Sequence, residues 1–267
     1  MKKVWIIGST SKVGQELLKL LNVREIEVLD TDVDEVDITD LADVYKYVRL
    51  NRPETIINCS NAKETFDPDQ IFKVNAVAAR NISLAAHDID AKLIHLSTCE
   101  VFGNHEHKNT PYTEFDLPTP NTIYGLSKTA GERYVRDFKS KYIIIRRGLT
   151  YGSFIQETIE ACKANNPIKA ANNEFIQPTS PKELAKFIVD VINSKDYGIY
   201  HVVNTGAPSK YDIAVEIAKI LKSKSKITAV TSETGSYKIL ENFMLEKVKG
   251  YHIPTWQDSL REYLKKK

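Results

Sequence analysis

The chain has 267 residues, 42% of them hydrophobic, and its 37 Lys and Arg nearly balance its 35 Asp and Glu. This size and polarity suit one elaborated globular domain or two smaller ones, and a net charge of +2 gives no indication of a nucleic-acid partner. Three cysteines without metal-ligand spacing predict neither a disulfide framework nor a metal site.

The N-terminal apolar run is too short for a signal peptide, because it stops at Gly8. No stretch approaches the roughly 18 apolar residues that a membrane-spanning helix needs. We therefore expect a soluble, cytoplasmic protein without a membrane partner.

The chain opens with the pattern of a dinucleotide-binding unit. Residues 4–7 are continuously apolar, as in a buried parallel strand, and leucines recur at helical spacing over 17–21. Between them, a glycine-framed turn can bring backbone N–H groups and a helix N-terminus against a pyrophosphate. The expected cofactor contacts in this turn are Gly8, Thr10, Ser11, Lys12, Val13 and Gly14.

A second strand is predicted over 26–29, ending at Asp30. An acid at this place can accept hydrogen bonds from an adenosine ribose and would repel a 2′-phosphate, which favours NAD over NADP. The next segment, Asp37-Ile38-Thr39-Asp40, leads into a helix over 41–50, with Thr39 or Asp40 as its N-cap. In this fold class, the loop of Asp37 and Ile38 often lies beside the adenine.

Three further strands are predicted over 55–58, 93–96 and 142–146, with a long helix over 70–87. Small residues follow the third strand, where a doubly wound sheet passes its ligand closely. Candidate cofactor contacts here are Cys59, Ser60, Asn61 and, on the long helix, Asn75. The fourth strand ends in Ser97-Thr98-Cys99-Glu100.

Tyr124 and Lys128 lie four residues apart after the fourth strand. On a helix they share a face, and the ammonium would make the phenol a better proton donor near neutral pH. The chain repeats this spacing at Tyr263 and Lys267, so the spacing alone is not specific. The first pair is distinguished by its context, because it follows four strand–helix units.

The alternation of strands and helices predicts an α/β Rossmann fold, a doubly wound parallel sheet with a small α/β substrate-binding lid. The expected Rossmann domain takes residues 1–152 and 178–205, and the lid takes 153–177 and 206–267. In the second half, we predict helices over 154–164 and 183–192, a last core strand over 200–204, a helix after a capping box at Ser209 and Asp212, and a terminal helix from Pro254-Thr255-Trp256.

These motifs resemble those of the extended short-chain dehydrogenases/reductases, and within them the dTDP-4-dehydrorhamnose reductases. The resemblance covers nearly the whole chain, and the segments Asp37-Ile38-Thr39-Asp40 and Ile253-Pro254-Thr255-Trp256-Gln257-Asp258 are specific to the reductase branch. It implies an NAD(P)H-dependent oxidoreductase of carbohydrate and cell-wall polysaccharide biosynthesis. Its substrate partner would be a nucleotide-linked 4-keto-6-deoxy sugar, and a homodimer is also suggested.

By resemblance, Thr98 would hydrogen-bond the C4 oxygen, Tyr124 would donate the proton, and Lys128 would hold the nicotinamide ribose. The sequence departs from the reductase pattern at Cys99 and Glu100, where Asp-Tyr is usual, at Leu149, and at Tyr237-Lys238. Glu100 is similar to the proton-transferring glutamate of sugar-nucleotide dehydratases, and Cys99 is a second candidate for catalysis. Two alternatives therefore stay open, a dehydratase or epimerase using Glu100 and a nucleotide-binding regulatory protein without turnover.

Overall fold

The structure is a computed structural model and describes residues 2–22, 26–63, 65–103, 110–233, 235–247 and 251–265. Its strands are β1 (Lys2–Ile7), β2 (Ile26–Thr31), β3 (Thr55–Asn58), β4 (Lys92–Thr98), β5 (Tyr142–Arg147), β6 (Leu149–Thr150), β7 (Ile168–Ala171), β8 (Glu174–Ile176), β9 (Pro178–Thr179), β10 (Gly198–His201), β11 (Ile227–Val230) and β12 (Ser236–Lys238). Its α-helices are α1 (Lys12–Leu21), α2 (Leu41–Asn51), α3 (Pro68–Phe72), α4 (Ala78–Asp88), α5 (Ile123–Phe138), α6 (Ser153–Lys163), α7 (Pro181–Val191), α8 (Lys210–Leu221) and α9 (Trp256–Leu264).

The chain forms two compact units, each built from three segments. Unit 1 takes residues 1–103, 117–146 and 181–200, and unit 2 takes 104–116, 147–180 and 201–267. The chain changes units near residues 103, 116, 146, 180 and 200, whereas the sequence suggested domain changes only near 152, 177 and 205.

Unit 1 is organised around a six-stranded sheet with the order β10-β5-β4-β3-β1-β2. Strand β1 pairs in parallel with β2 and β3, and β3 pairs in parallel with β4. Because β2 and β3 lie on opposite sides of β1, the carboxyl ends of β1 and β3 flank a topological switch point, where such sheets bind ligands. The predicted α/β, doubly wound architecture is confirmed.

The core of unit 1 explains why the central strands read as continuous apolar runs. Every residue of β3 and β4 is buried, since helices cover both faces of the sheet. Trp5 on β1, Val48 on α2, Ile82 on α4 and Leu93 on β4 belong to one buried cluster. Burying each such side chain contributes about 1.5–3 kcal/mol, which fixes the sheet that carries the site.

Several element ends differ from the sequence prediction. Strand β2 runs past Asp30 to Thr31, because Thr31 pairs with Ile7 and its hydroxyl accepts the indole N–H of Trp5 at 2.8 Å. The long predicted helix begins at Pro68 and is interrupted by a π-helical turn, Lys73–Val77. The last core strand is β10 (Gly198–His201), not 200–204. After it, the Val203 N–H donates to the side-chain oxygen of Asn242 at 3.1 Å.

Unit 2 contains three short parallel ladders, β6–β9, β7–β11 and β8–β12. Helices α6, α8 and α9 pack together around Ile155, Ile213, Trp256 and Leu260. The predicted capping box at Ser209 and Asp212 is confirmed at the start of α8. Within the described residues, none of the helices is long and apolar enough to cross a membrane.

Candidate active site

The turn after β1 is built around two glycines. Gly8 has a φ of +74°, in the left-handed region that favours glycine, and its N–H donates to the Thr31 carbonyl at 3.0 Å. A Cβ on Gly14 would lie 2.6 Å from the carbonyl oxygens of Gly8 and Ser9. Ser11 caps α1 by accepting the Gly14 N–H at 3.1 Å. This close approach of backbone and helix N-terminus fits a pyrophosphate.

The loop after β3 lies against the same turn. A Cβ on Gly8 would be 3.0 Å from the Ser60 nitrogen and 3.1 Å from the Cys59 carbonyl carbon. The Cys59 N–H donates to the Ile7 carbonyl at 2.9 Å, which extends the pairing of β1 and β3. The two loops therefore form one crevice at the switch point.

A Gly14→Ala variant should be destabilised and should bind a nicotinamide dinucleotide poorly. The added methyl group would overlap two backbone carbonyls, so α1 must shift, at a cost of about 1–3 kcal/mol. We expect an NADH dissociation constant at least tenfold higher, measured by fluorescence titration beside a thermal melt. Gly152→Ala is the control, because its Cβ meets its nearest neighbour at 3.4 Å. Equal affinities for both variants would contradict the assigned role of the turn.

The acid that contacts the glycine turn is Asp32. Its carboxylate accepts from the Thr10 hydroxyl and, at 3.3 Å, from the Thr10 N–H, whereas the Asp30 residue is exposed. Partial burial alone would raise the pKa of Asp32, but the hydrogen bonds from Thr10 and Val33 outweigh it and hold the pKa below its usual value. Asp32 is therefore ionised at neutral pH and adds negative charge beside the turn.

The segment 37–40 forms local hydrogen bonds before α2. The Asp37 carboxylate accepts from the Thr39 hydroxyl at 2.6 Å and N–H at 2.9 Å, and these bonds lower the pKa of Asp37. Asp40, one of the two predicted N-caps, caps α2 through the Ala42 N–H. The Ile38 carbonyl accepts from the Asn81 amide at 3.2 Å. The segment is thus held in a fixed shape at the start of α2.

Two polar side chains meet beneath the loop after β3. The side-chain oxygen of Asn58 accepts from the Ser60 N–H at 3.0 Å and hydroxyl at 2.6 Å, and the Asn58 amide nitrogen lies 3.2 Å from His95 Nδ1. Burial, reinforced by the Lys128 charge, lowers the pKa of His95 well below its usual value. His95 is therefore neutral and accepts from Asn58 through Nδ1.

Asn75 lies in the π-helical turn and is 1% exposed. Its side chain accepts from the Ala62 N–H and donates to the Ala62 carbonyl, both at 3.0 Å, and also donates to the Ser127 hydroxyl at 3.1 Å. A Cβ on Gly131 would lie 2.4 Å from the Asn75 carbonyl, so α5 passes very close. Asn75 thereby joins the loop after β3 to helix α5.

Helix α5 carries the tyrosine and lysine against the end of β4. Tyr124 is 8% exposed and Lys128 2% exposed, and the lysine ammonium donates to the Leu96 carbonyl at 2.6 Å. Thr98, the last residue of β4, is 3% exposed and accepts from the Glu100 N–H at 3.2 Å. The Tyr124 hydroxyl donates to the side-chain oxygen of Asn61 at 2.8 Å.

The position of α5 is set by a buried ion pair and a close backbone contact. Arg146 on β5 donates charge-assisted hydrogen bonds to both carboxylate oxygens of Glu132 on α5, from Nη2 at 2.8 Å and from Nε at 3.0 and 3.2 Å, and both residues are nearly fully buried. The Ser97 hydroxyl donates to the same carboxylate at 2.5 Å. A Cβ on Gly125 would lie 2.2 Å from the Glu100 carbonyl. Helix α5 is therefore clamped to β4, β5 and the turn after β4.

The sequence departures fall in both units. Cys99 is buried and Glu100 half-buried in a 3₁₀ turn, Cys99–Val101, directly after Thr98. Leu149 packs against the core of unit 2, and β12 holds Tyr237 beside Phe175. Lys238 ends the same strand.

The structure brings most of the predicted residues of unit 1 together and separates others. The contacts above bring together the turn after β1, the loop after β3 and the start of α5. By contrast, Lys12 and Asp30 are exposed, and Val13 is packed in the core. In the second Tyr–Lys pair, Tyr263 packs in unit 2 against Tyr151, and Lys267 lies outside the described residues.

Sequence reasoning missed four residues that shape the site, namely Asp32, Asn58, Glu132 and Arg146. A signal existed for Asn58 and Arg146, because each is a polar residue in the last two positions of a strand whose centre is apolar. No local pattern pointed to Asp32 or Glu132.

Comparisons with known proteins agree with this geometry. The family model described as the RmlD substrate binding domain matches residues 1–267. The spore coat polysaccharide biosynthesis protein SpsK of Bacillus subtilis is 29% identical, with 100% of this chain and 98% of that protein covered. The crystal structure of a dTDP-4-dehydrorhamnose reductase from Clostridium acetobutylicum superposes with a TM-score of 0.93, at 33% identity and 98% coverage of both chains. That of the Bacillus anthracis dTDP-4-dehydrorhamnose reductase, in complex with NADP, has a TM-score of 0.93 at 30% identity, with 100% of this chain and 99% of that chain covered. The chain therefore belongs to the RmlD substrate binding domain family.

Proposed function

We propose that this chain is an NAD(P)H-dependent oxidoreductase that reduces the C4 ketone of a nucleotide-linked 4-keto-6-deoxy sugar, as the dTDP-4-dehydrorhamnose reductases do. The observation that carries the proposal is the placement of Tyr124, Lys128 and Thr98 where α5 meets the end of β4. The family match over residues 1–267 supports it. The reduced sugar nucleotide would serve carbohydrate biosynthesis, such as that of a cell-wall polysaccharide.

Unit 1 has the backbone shape that a dinucleotide needs, since the turn at Gly8 and Gly14 leaves no room for side chains. We assign the pyrophosphate to this turn and the nicotinamide ribose to Lys128, with the segment of Asp37 and Ile38 beside the adenine. When bound, the reduced nicotinamide supplies the hydride. Unit 2, which contains the altered positions Leu149 and Tyr237, is assigned to the sugar nucleotide.

The chemistry of the residues in unit 1 follows from the charge that develops on the ketone. As hydride adds to C4, the C4 oxygen gains negative charge, and two donors fixed near it stabilise the transition state. Tyr124 gives its proton to that oxygen, and the Thr98 hydroxyl donates a hydrogen bond to it. The buried Lys128 ammonium then stabilises the tyrosinate that remains.

The test is incubation of the pure protein with NADH or NADPH and a dTDP-4-keto-6-deoxyhexose, following the absorbance band of the reduced nicotinamide. We expect consumption of the reduced cofactor with at least one sugar of a 4-keto panel. A sugar product without net cofactor loss would instead support the dehydratase or epimerase that uses Glu100. Cofactor binding without any turnover would support the regulatory alternative.

We further propose that the acidic end of β2 favours NADH over NADPH. The ionised Asp32 adds negative charge beside the turn, and the exposed Asp30 adds a second carboxylate nearby in the chain. Asp32→Asn retains an oxygen that can accept from Thr10 but removes the charge, so we expect the NADH/NADPH preference to fall about tenfold. Dissociation constants for both cofactors measure it. If the NADH/NADPH preference falls in Asp30→Asn and stays unchanged in Asp32→Asn, the preference depends on Asp30 instead.

A further inference from the structure

The Tyr124 hydroxyl points to an amide. It donates its hydrogen to the side-chain oxygen of Asn61 at 2.8 Å, and Asn61 is exposed while Tyr124 is 8% exposed. In the proposed function, the hydrogen in this bond is the proton that the reaction transfers. Asn61 therefore contacts a reacting atom.

The backbone on both sides of Asn61 is fixed by buried amides. Asn58 holds Ser60 through its N–H and hydroxyl, and Asn75 holds Ala62 through its N–H and carbonyl. Both asparagines are 1% exposed. The position of Asn61 is thus set by the fold, even though its own side chain lies at the surface.

We propose that Asn61 is a catalytic residue that holds the hydroxyl hydrogen of Tyr124 and favours the protonated form of this tyrosine; the proposal rests on the proposed function. An amide oxygen can only accept, so its hydrogen bond stabilises the neutral phenol and disfavours ionisation. This opposes the effect of Lys128, whose charge stabilises the tyrosinate. Asn61 and Lys128 together keep Tyr124 protonated before the reaction and still allow it to transfer its proton.

The transfer itself balances without another reactant. The ketone oxygen replaces Asn61 as the acceptor of the Tyr124 hydrogen bond. As hydride from the reduced nicotinamide forms the new C–H bond at C4, the O–H bond of Tyr124 breaks and an O–H bond forms on the C4 oxygen. A proton from the solvent then converts the tyrosinate back to the phenol, so that the ketone has gained one hydride and one proton in total, and Asn61 accepts the restored hydrogen bond.

Other ionisable groups lie on the helix of Tyr124 and on its neighbouring elements and must stay unchanged in the test. They are carried by α5 and by the elements that pack against it, namely β4, the turn after β4, the π-helical turn, α3 and α4. They include Lys128, Glu132, His95, Cys99, Glu100, Lys73, Asp69 and Arg80. A variant of Asn61 alters none of them, so a shift in Tyr124 ionisation reports on the amide.

The experiment titrates Tyr124 in the full chain without substrate. The NMR signal of the ring carbon that bears its hydroxyl, assigned by its absence in Tyr124→Phe, is followed against pH. We expect Asn61→Ala to lower the ionisation midpoint by about 0.5–1 pH unit, the value of one hydrogen bond. Asn61→Asp should raise it, because a carboxylate accepts more strongly and repels the tyrosinate. Asn121→Ala, an exposed asparagine before α5, should leave it unchanged.

Kinetics give an independent readout. The alkaline limb of the kcat/KM profile should move to lower pH in Asn61→Ala and to higher pH in Asn61→Asp, as the NMR midpoints do, while the plateau at lower pH, where Tyr124 is fully protonated, should change by no more than about twofold. An unchanged midpoint in Asn61→Ala would show that the amide favours neither form of Tyr124, and a raised midpoint would show that it donates to the tyrosinate; either result would overturn the proposal. Failure of every 4-keto sugar to react would refute the proposed function, whereas the titration tests Asn61 without turnover.

Discussion

Replacement of Tyr124 by phenylalanine is expected to lower kcat for the 4-keto sugar by about 10²- to 10⁴-fold. The variant lacks the proton that the C4 oxygen must receive, while the ring still fills its buried place on α5. Cofactor binding should change little, because the turn at Gly8 and the Lys128 ammonium remain. Steady-state rates and a fluorescence titration with NADH measure the two effects separately.

Tyr134→Phe is the matched control for this variant. Tyr134 lies on the same helix and is half-buried, and its ring stacks on that of Phe138 with 6.0 Å between the ring centroids. It has no assigned role in the reaction. Its loss of one hydroxyl should leave kcat nearly unchanged. If Tyr124→Phe kept more than about a tenth of the parent kcat, tyrosine could not be the proton donor.

The second large effect concerns stability. Glu132→Gln should lower the free energy of unfolding by about 3–5 kcal/mol, because it leaves the buried Arg146 charge without its counter-ion. A small domain is typically stable by only about 5–15 kcal/mol, so this loss is a large fraction of the total and should lower the unfolding midpoint clearly. Urea denaturation followed by circular dichroism gives the difference.

Asp137→Asn serves as the control on the same helix. Asp137 pairs with Arg133 at 3.5 Å, but both side chains are more than half exposed, so the stability should change by no more than about 0.5 kcal/mol. A double variant, Glu132→Leu with Arg146→Met, removes both charges and should recover much of the lost stability. Similar unfolding midpoints for Glu132→Gln and Asp137→Asn would show that the buried pair is not needed.

Much of the fold could be predicted because its signals are local. The strands of unit 1 are apolar runs bounded by turns, and the starts of α2 and α8 carry their own caps, Asp40 and Ser209. The short ladders of unit 2 were not predicted, since strands of two to four residues leave no clear period. The interruption of the long helix at Lys73–Val77 was not predicted either, and the close approach of Gly131 to Asn75 at this turn is a contact that no local pattern indicates.

Sequence patterns alone predict the glycine turn, the shared helix face of Tyr124 and Lys128, and the hydroxyls at the end of β4. Each of these is a short pattern whose geometry follows from one strand, turn or helix. The side chains that contact these features become known only from the folded chain. Tyr124 and Asn61 are 63 residues apart, and Thr10 and Asp32 are 22 apart. Such contacts depend on the order and register of the strands, which the periodicity of a single segment does not encode.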